Sequence, residues 1–442
     1  MSAPVRGSIP VGPIVGACLC LTLTLVLGVA LAIEAVWPIR LTLPMERLQP
    51  LHTFLAIGFV LCGIASVLDL AVGRGHALRL VRISFWIALV PFLLAGGGSI
   101  LIGRGSGREY LTWAPILSPL LILFLIGLGV AALRNVATIA RRSPEAAWLI
   151  GVGLVVMPLG VIEASAYLLP GVALSRDLSF QWHGLDIVVA GWNAVLYGLG
   201  ILVVGVAKPL RGRWLYLLAA LAFVSTFGHH HYLSPQPETI KVIAFIASMI
   251  AGVSFLRHAR AAIGLIGRPD GRPVPILIRA AELWTLVAIG SGVLLAVPRI
   301  NLVLHGTYAI VGHAMGAMIG VNVMLILAGL VRLVPLSARA SRRVAGWVVL
   351  ANLALALLWL DLLAAGTVEG VLRFGHPYQG YRPWVERMLL PLPAFGLALA
   401  APLWLICLDV ALSALALRAR RRGAARQPAP GVAITRRSAP AP

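Results

Sequence analysis

Long apolar stretches alternate with short polar or basic segments along the whole 442-residue chain. A membrane-crossing helix needs about 20 mostly apolar residues, so each stretch predicts one span. Irregular backbone is hardly tolerated at membrane depth, which favours helices throughout. The pattern therefore predicts an all-α, polytopic membrane protein, a twelve-helix transmembrane bundle. The twelve stretches begin near Val11, Leu51, Ile83, Ala114, Ala146, His183, Trp214, Ile240, Ala280, Thr307, Gly346 and Pro391.

Composition excludes a soluble globular protein. Apolar residues make up 60% of the chain and charged residues 12%, against about 45–50% and about 25% in soluble domains. Lysine and arginine are more frequent in the loops that follow the even-numbered predicted spans, and in both tails, than in the other loops. By the positive-inside rule, both termini are therefore predicted to be cytoplasmic. Residues 1–417 are predicted to form the membrane domain, and residues 418–442 a basic, Pro- and Ala-rich disordered cytoplasmic tail.

Histidines mark the candidate chemistry. Of the ten histidines, seven fall at or inside predicted spans, where a polar ring is costly and usually marks a site. Imidazole is also the commonest metal ligand in proteins. These seven are His52, His183, His229, His230, His231, His305 and His313.

Spacing adds detail to the histidine pattern. Two rings of the triple histidine, with His183 from another helix, make a three-imidazole site with an open position, which suits copper or iron. His313 and Met315 are two residues apart and face opposite sides of one helix, so each can meet a different flat cofactor. Together His52 and Met315 supply a His/Met pair, a known ligation of haem.

Four segments resemble the catalytic subunit (subunit I) of the haem–copper oxidase superfamily, particularly its nitric oxide reductase branch. They follow the order and the spans of that family and extend over nearly the whole chain. The segments are Arg47-Leu-Gln-Pro-Leu-His52-Thr53, Gln181-Trp182-His183, Gly228-His-His-His-Tyr232 and His305-Gly-Thr-Tyr-Ala-Ile-Val-Gly-His313.

The resemblance implies a ligand for each cofactor. His52 is expected to ligate a low-spin haem b, and His313 to be the proximal ligand of a high-spin b-type haem. His183, His230 and His231 are expected to hold a non-haem Fe or Cu ion. Because three histidines are consecutive, the family's pair could also be His229 with His230. His230 with His231 is preferred because Tyr232 then falls where the reductases have a tyrosine.

Two departures from the family pattern bear on function. The family usually has a histidine where this chain has Met315. Either Met315 ligates the low-spin haem, or that haem is five-coordinate or missing and Met315 fills the core. Bacterial nitric oxide reductases have a glutamate four residues after the first metal histidine, where this chain has Ile187. Either the neighbouring Asp186 replaces that carboxylate, or the site prefers copper.

The absence of one tyrosine bears on whether the substrate is NO or O2. Oxygen reductases of the family use a redox-active tyrosine, either at the position of Ile187 or within the stretch 223–228, and this chain has none at either place. The resemblance therefore favours reduction of NO to N2O, with reduction of O2 to water by a cytochrome c oxidase subunit I-like terminal oxidase as the alternative.

The remaining expectations concern protons, charges and partners. Asp186 and Glu163 are candidate proton relays, and Arg382 and Arg387 are candidate partners of the haem propionates. No Cys-x-x-Cys-His motif is present, so electrons are expected from a cytochrome c or copper-bearing subunit, or from quinol. The expected location is a bacterial inner (plasma) membrane. Competing hypotheses are a haem-binding membrane sensor or scaffold, and a metal transporter.

Overall fold

The computed structural model describes residues 9–37, 43–72, 76–108, 110–166, 174–204, 226–234, 236–265 and 272–426. Its described secondary structure is entirely helical, which confirms the all-α part of the predicted fold class. The long helices are α1 (Val11–Val36), α2 (Met45–Val72), α3 (His76–Leu101), α4 (Pro115–Leu133), α5 (Pro144–Ala164), α6 (Leu174–Leu199), α7 (Glu238–Leu265), α8 (Pro273–Leu295), α9 (Tyr308–Leu333), α10 (Ala338–Leu372) and α11 (Leu392–Arg426). Shorter helices cover Val136–Arg142, Pro298–Leu304 and Tyr378–Met388.

Ten helices in the described part of the chain are long and apolar enough to cross a membrane. α7 is not one of these ten; its 28 residues begin two positions before the span predicted near Ile240. The span predicted from Trp214 begins outside the described residues. The count of twelve spans and the cytoplasmic termini therefore remain predictions. The last helix continues to Arg426, past the start of the predicted tail, and the rest of that tail lies outside the described residues.

Helix α6 begins earlier than its apolar pattern indicates. The sequence places the start of this span at His183, but the helix begins at Leu174. Its polar first turns are tied to the loop after α3, because the Arg108 guanidinium donates to Asp177 Oδ2 at 2.5 Å and approaches Gln181 Oε1 at 3.5 Å. Hydrophobicity locates only the apolar part of such a helix.

Glycines bring α5 and α6 into backbone contact. A Cβ on Gly160 would lie 2.5 Å from the carbonyl oxygen of Gly184, and one on Gly184 would lie 2.6 Å from that of Gly160. Small residues on facing helices allow such close packing in membranes. Since Gly184 directly follows His183, this contact brings α5 against a candidate metal ligand.

Helix α9 changes its winding directly after the segment that carries His313. Residues 308–315 are α-helical, whereas Gly316–Val323 form a π-helical segment before the α-helix resumes. The wide turn packs against α8, where a Cβ on Gly320 would overlap the Trp284 ring. Trp284 is fixed in turn, because its Nε1 donates to Asn352 Oδ1 of α10 at 2.9 Å.

Gly366→Ala is expected to destabilise the protein by about 1–3 kcal/mol, the usual cost of overpacking. A Cβ on Gly366 of α10 would overlap the backbone nitrogen of Ala309, where α9 begins, so the two helices have to separate. Gly346→Ala is the matched control, since nothing lies within 4 Å of a Cβ there. Thermal unfolding of both variants in one detergent tests this; equal melting temperatures would contradict it.

Candidate haem and metal site

His52 is held where α1 and α2 cross. Its Nδ1 lies 2.9 Å from the carbonyl oxygen of Thr24. A carbonyl oxygen only accepts, so Nδ1 carries the proton and Nε2 keeps its lone pair for a ligand. Gly28 makes room for the ring, because a Cβ there would lie 3.0 Å from His52 Cε1. The chain thus fixes both the tautomer and the position of this imidazole.

His313 on α9 is held in the same way by α8. Its Nδ1 lies 2.9 Å from Ser291 Oγ, and that hydroxyl donates to the Val287 carbonyl at 2.8 Å. The hydroxyl proton is thereby used, so Ser291 accepts from Nδ1–H of His313 and leaves Nε2 free. Gly292 lies beside the ring, where a Cβ would be 3.2 Å from Cε1.

His183 has a carboxylate partner. Its Nδ1 lies 2.6 Å from Glu163 Oε1 on α5, and the backbone contact of Gly160 with Gly184 brings the two side chains together. Metal-binding histidines commonly donate the second ring N–H to such a carboxylate, which fixes the ring and strengthens the ligand. Glu163 was predicted as a proton relay; the structure adds its bond to a candidate ligand.

The triple histidine lies on a 3-10 segment, Thr226–His231, which we call the histidine turn. His231 is 1% exposed, and its Nδ1 lies 3.0 Å from Ser234 Oγ. Ser234 donates its own proton to the His231 carbonyl at 3.1 Å, so it accepts from Nδ1–H. The buried Nε2 of His231 has no hydrogen-bond partner among the described residues, as expected of a nitrogen that serves a ligand.

The other two rings of the histidine turn lie side by side. The ring centroids of His229 and His230 are 4.3 Å apart, and Trp182 stacks on His230 at 4.6 Å with an interplanar angle of 9°. His229 and His230 lie near His305 and His313. The histidine turn is therefore close to the proximal candidate on α9.

Phe227 separates two of the predicted metal ligands. Its ring centroid is 4.7 Å from that of His183 and 5.8 Å from that of His231. Among the described residues, no three His, Cys, Asp or Glu side chains are arranged to hold one ion. The assignment of the three ligands therefore remains a prediction.

Further contacts tie the histidine turn to its neighbours. Asp186, one turn after His183, accepts a hydrogen bond of 2.5 Å from the Thr226 hydroxyl. The Tyr232 hydroxyl donates to the Ala296 carbonyl at 2.7 Å. The Asp186 carboxylate thus lies at the base of the histidine turn, and Tyr232 fixes the other end against the end of α8.

The predicted arginines already have protein partners. Arg382 Nε donates to Glu386 Oε1 at 2.7 Å, which raises the pKa of the guanidinium, and Arg387 lies over the Trp384 ring at 5.5 Å. Neither contact tests the predicted pairing with propionates. Met315 is partly buried and packs on the apolar core, which leaves its role as a ligand a prediction.

His305, just before α9, lies in an environment that disfavours its charged form. Burial lowers the pKa of His305, and the nearby Arg373 lowers it further. Arg373 also donates to the His305 carbonyl at 2.8 Å.

Sequence reasoning missed the groups that orient the rings. Thr24, Ser291 and Ser234 are small polar residues within apolar or mixed segments, and their roles show only when the helices are packed. For Glu163 a signal existed, since a carboxylate in an apolar stretch is costly unless it serves a site.

Comparisons with known proteins identify the family and the fold. The family profile of cytochrome c and quinol oxidase polypeptide I matches residues 11–392. A solved haem–copper terminal oxidase dimer has the same fold, with a TM-score of 0.67 and 15% sequence identity over 92% of this chain and 84% of that one. No curated protein sequence matches. Since the profile covers most of the chain, this protein belongs to the family of haem–copper oxidase subunit I and is an integral membrane oxidoreductase.

Proposed function

We propose that this protein is the catalytic subunit of a respiratory reductase that reduces two NO to N2O and water, with two electrons and two protons. The observation that carries the proposal is the missing tyrosine. Ile187 and the stretch 223–228 occupy the positions where the oxygen reductases have their redox-active tyrosine. The coupling of two NO needs only two electrons, so it does not require that side chain.

The histidines fit the cofactors that the family implies. In His52, His183, His231 and His313, Nδ1 is bound to an acceptor and Nε2 is left for a ligand. We assign His52 to a low-spin haem b, with Met315 as its second ligand, and His313 to a high-spin b-type haem. These groups and the non-haem metal supply electrons and Lewis acidity when bound.

For the non-haem Fe or Cu ion we propose His183, His230 and His231. The unpartnered Nε2 of His231 supports this choice, as does the carboxylate of Glu163 that orients the His183 ring. His229 is the alternative to His231, because its ring lies against that of His230.

The two carboxylates then have different tasks. Glu163 accepts from His183 and keeps that ring in one tautomer. Asp186 accepts from Thr226 at the base of the histidine turn, where we propose that it holds and releases a proton for the reaction. Arg382 and Arg387 are proposed to face haem propionates, and Tyr232 to fix the end of the histidine turn. Electrons come from a cytochrome c, a copper-bearing subunit or quinol.

Reduction of O2 is the second candidate. It is favoured by the description of the matching family as oxidases and by the structural neighbour, a haem–copper terminal oxidase. A likeness of 15% identity shows the fold alone, so it does not decide between the two gases.

Turnover of the purified protein with an artificial electron donor tests the proposal. We expect NO consumption with one N2O formed for two NO, and slower O2 consumption by the same preparation. Faster O2 consumption without N2O would identify a terminal oxidase. Haem absorption without turnover of either gas would indicate a haem-binding sensor or scaffold. A purified protein without haem absorption would contradict the proposal and favour the metal transporter.

A further inference from the structure

A cavity of about 320 Å³ lies at the end of the bundle where α7 begins. It is formed by the first turns of α7, the short helix Pro298–Leu304 and the residues after the histidine turn. Its polar wall carries Glu238, Lys241 and Arg299, and its apolar wall includes Val242 and Leu302. These five residues have no role in the proposed reaction, whereas Tyr232, which also lines the cavity, fixes the end of the histidine turn.

The cavity has an excess of positive charge. Lys241 Nζ lies 2.7 Å from Glu238 Oε1, but the Lys241 side chain is 13% exposed and that of Glu238 is 81% exposed. Both residues line the cavity, but the ammonium is enclosed by it and the carboxylate is largely exposed to solvent. Arg299 is exposed and makes no hydrogen bond or ion pair with the described residues. Two cations and one carboxylate thus line the cavity, which leaves one net positive charge, and Arg299 is free to bind an anion.

The apolar wall continues onto the surface that faces lipid. Val242 and Ile246, one turn apart on α7, are 54% and 51% exposed. Leu302 is 45% exposed and Leu294 of α8 is 57% exposed. In a membrane protein, such side chains contact acyl chains. The cavity therefore joins a cationic end to a lipid-facing apolar track between α7 and α8.

We propose that this cavity binds an anionic phospholipid. The phosphate is held by Arg299 and Lys241, and an acyl chain follows Val242 and Ile246 down α7. Basic residues beside a helix attract anionic lipids, and the apolar track adds affinity that a small soluble anion does not gain. A lipid matches both halves of the cavity, whereas a free phosphate matches only the cationic half.

Native mass spectrometry of the purified full-length protein tests this, with phosphatidylglycerol and phosphatidylcholine of identical acyl chains. We expect the wild type to retain phosphatidylglycerol preferentially. Removal of one cation costs about fivefold in affinity for an anionic lipid, so Arg299→Gln is expected to lower phosphatidylglycerol retention about fivefold and leave phosphatidylcholine unchanged. Arg104→Gln is the matched control, because Arg104 is exposed in the loop after α3 and lies outside the cavity.

Three results would overturn the proposal. The first is equal retention of the two lipids by the wild type, and the second is an equal loss in Arg104→Gln and Arg299→Gln. The third is displacement of phosphatidylglycerol by equimolar glycerol phosphate, which would identify a site for free phosphate. The result does not depend on which gas is reduced, since Arg299 lies outside the proposed haem and metal ligands.

Discussion

His313→Ala is expected to remove the high-spin haem and all activity. His313 is the proposed proximal ligand, and its ring is fixed by Ser291 and by the space at Gly292. Alanine has no atom that ligates iron, and the neighbouring Gly312 and Ala314 offer none either. The decrease in activity should therefore exceed the roughly 10- to 100-fold decrease that follows removal of a residue that only hydrogen-bonds to a metal ligand. Haem content and optical spectra of the purified variant measure it.

Met315→Leu is the matched variant on the same helix. Leucine keeps the apolar volume and removes only the thioether, so the high-spin haem is expected to remain while the low-spin absorption shifts or disappears. Full high-spin haem in His313→Ala would disprove the assignment of His313. An unchanged low-spin spectrum in Met315→Leu would show that Met315 only fills the core.

Glu163→Ala is expected to weaken binding of the non-haem metal by about 10- to 100-fold and to leave both haems in place. The carboxylate accepts from His183 Nδ1 at 2.6 Å, and without it the ring loses its fixed tautomer and orientation. The metal affinity of Glu163→Gln should lie between those of the wild type and Glu163→Ala, because its amide oxygen still accepts that hydrogen bond but carries no charge. Metal content after dialysis against a chelator measures the effect, with haem content as an internal reference.

Glu145→Gln provides the control for this experiment. Glu145 lies at the opposite end of α5, where it accepts from Ser143, and its loss should not change metal content. If Glu163→Ala kept its full metal content, His183 would not be a ligand or Glu163 would not orient it. Loss of metal in the His183→Ala variant distinguishes these two results.

The apolar pattern predicts the helices well because it measures the property that places them in a membrane. Helices α1, α4 and α9 begin within one residue of the predicted positions near Val11, Ala114 and Thr307. The pattern fails where polar residues extend a helix, as at the start of α6, because tertiary hydrogen bonds from Arg108 stabilise those turns.

The candidate ligands could be predicted from residue type and order, but their orientation could not. The acceptor for His52 lies 28 positions away in the chain, and that for His313 lies 22 positions away. Helix packing brings each pair together, and no local sequence pattern predicts this contact. The same limit applies to His183, whose partner depends on the glycine contact between α5 and α6.

The π-helical turn at Gly316–Val323 has a consequence for comparison with relatives. A π-turn holds one residue more than an α-turn, and one residue of an α-helix corresponds to about 100° of rotation. A relative with a regular helix here needs one residue fewer, so a correct alignment contains a single gap after Met315. An ungapped alignment would pair every later residue of α9 with a side chain on the wrong face.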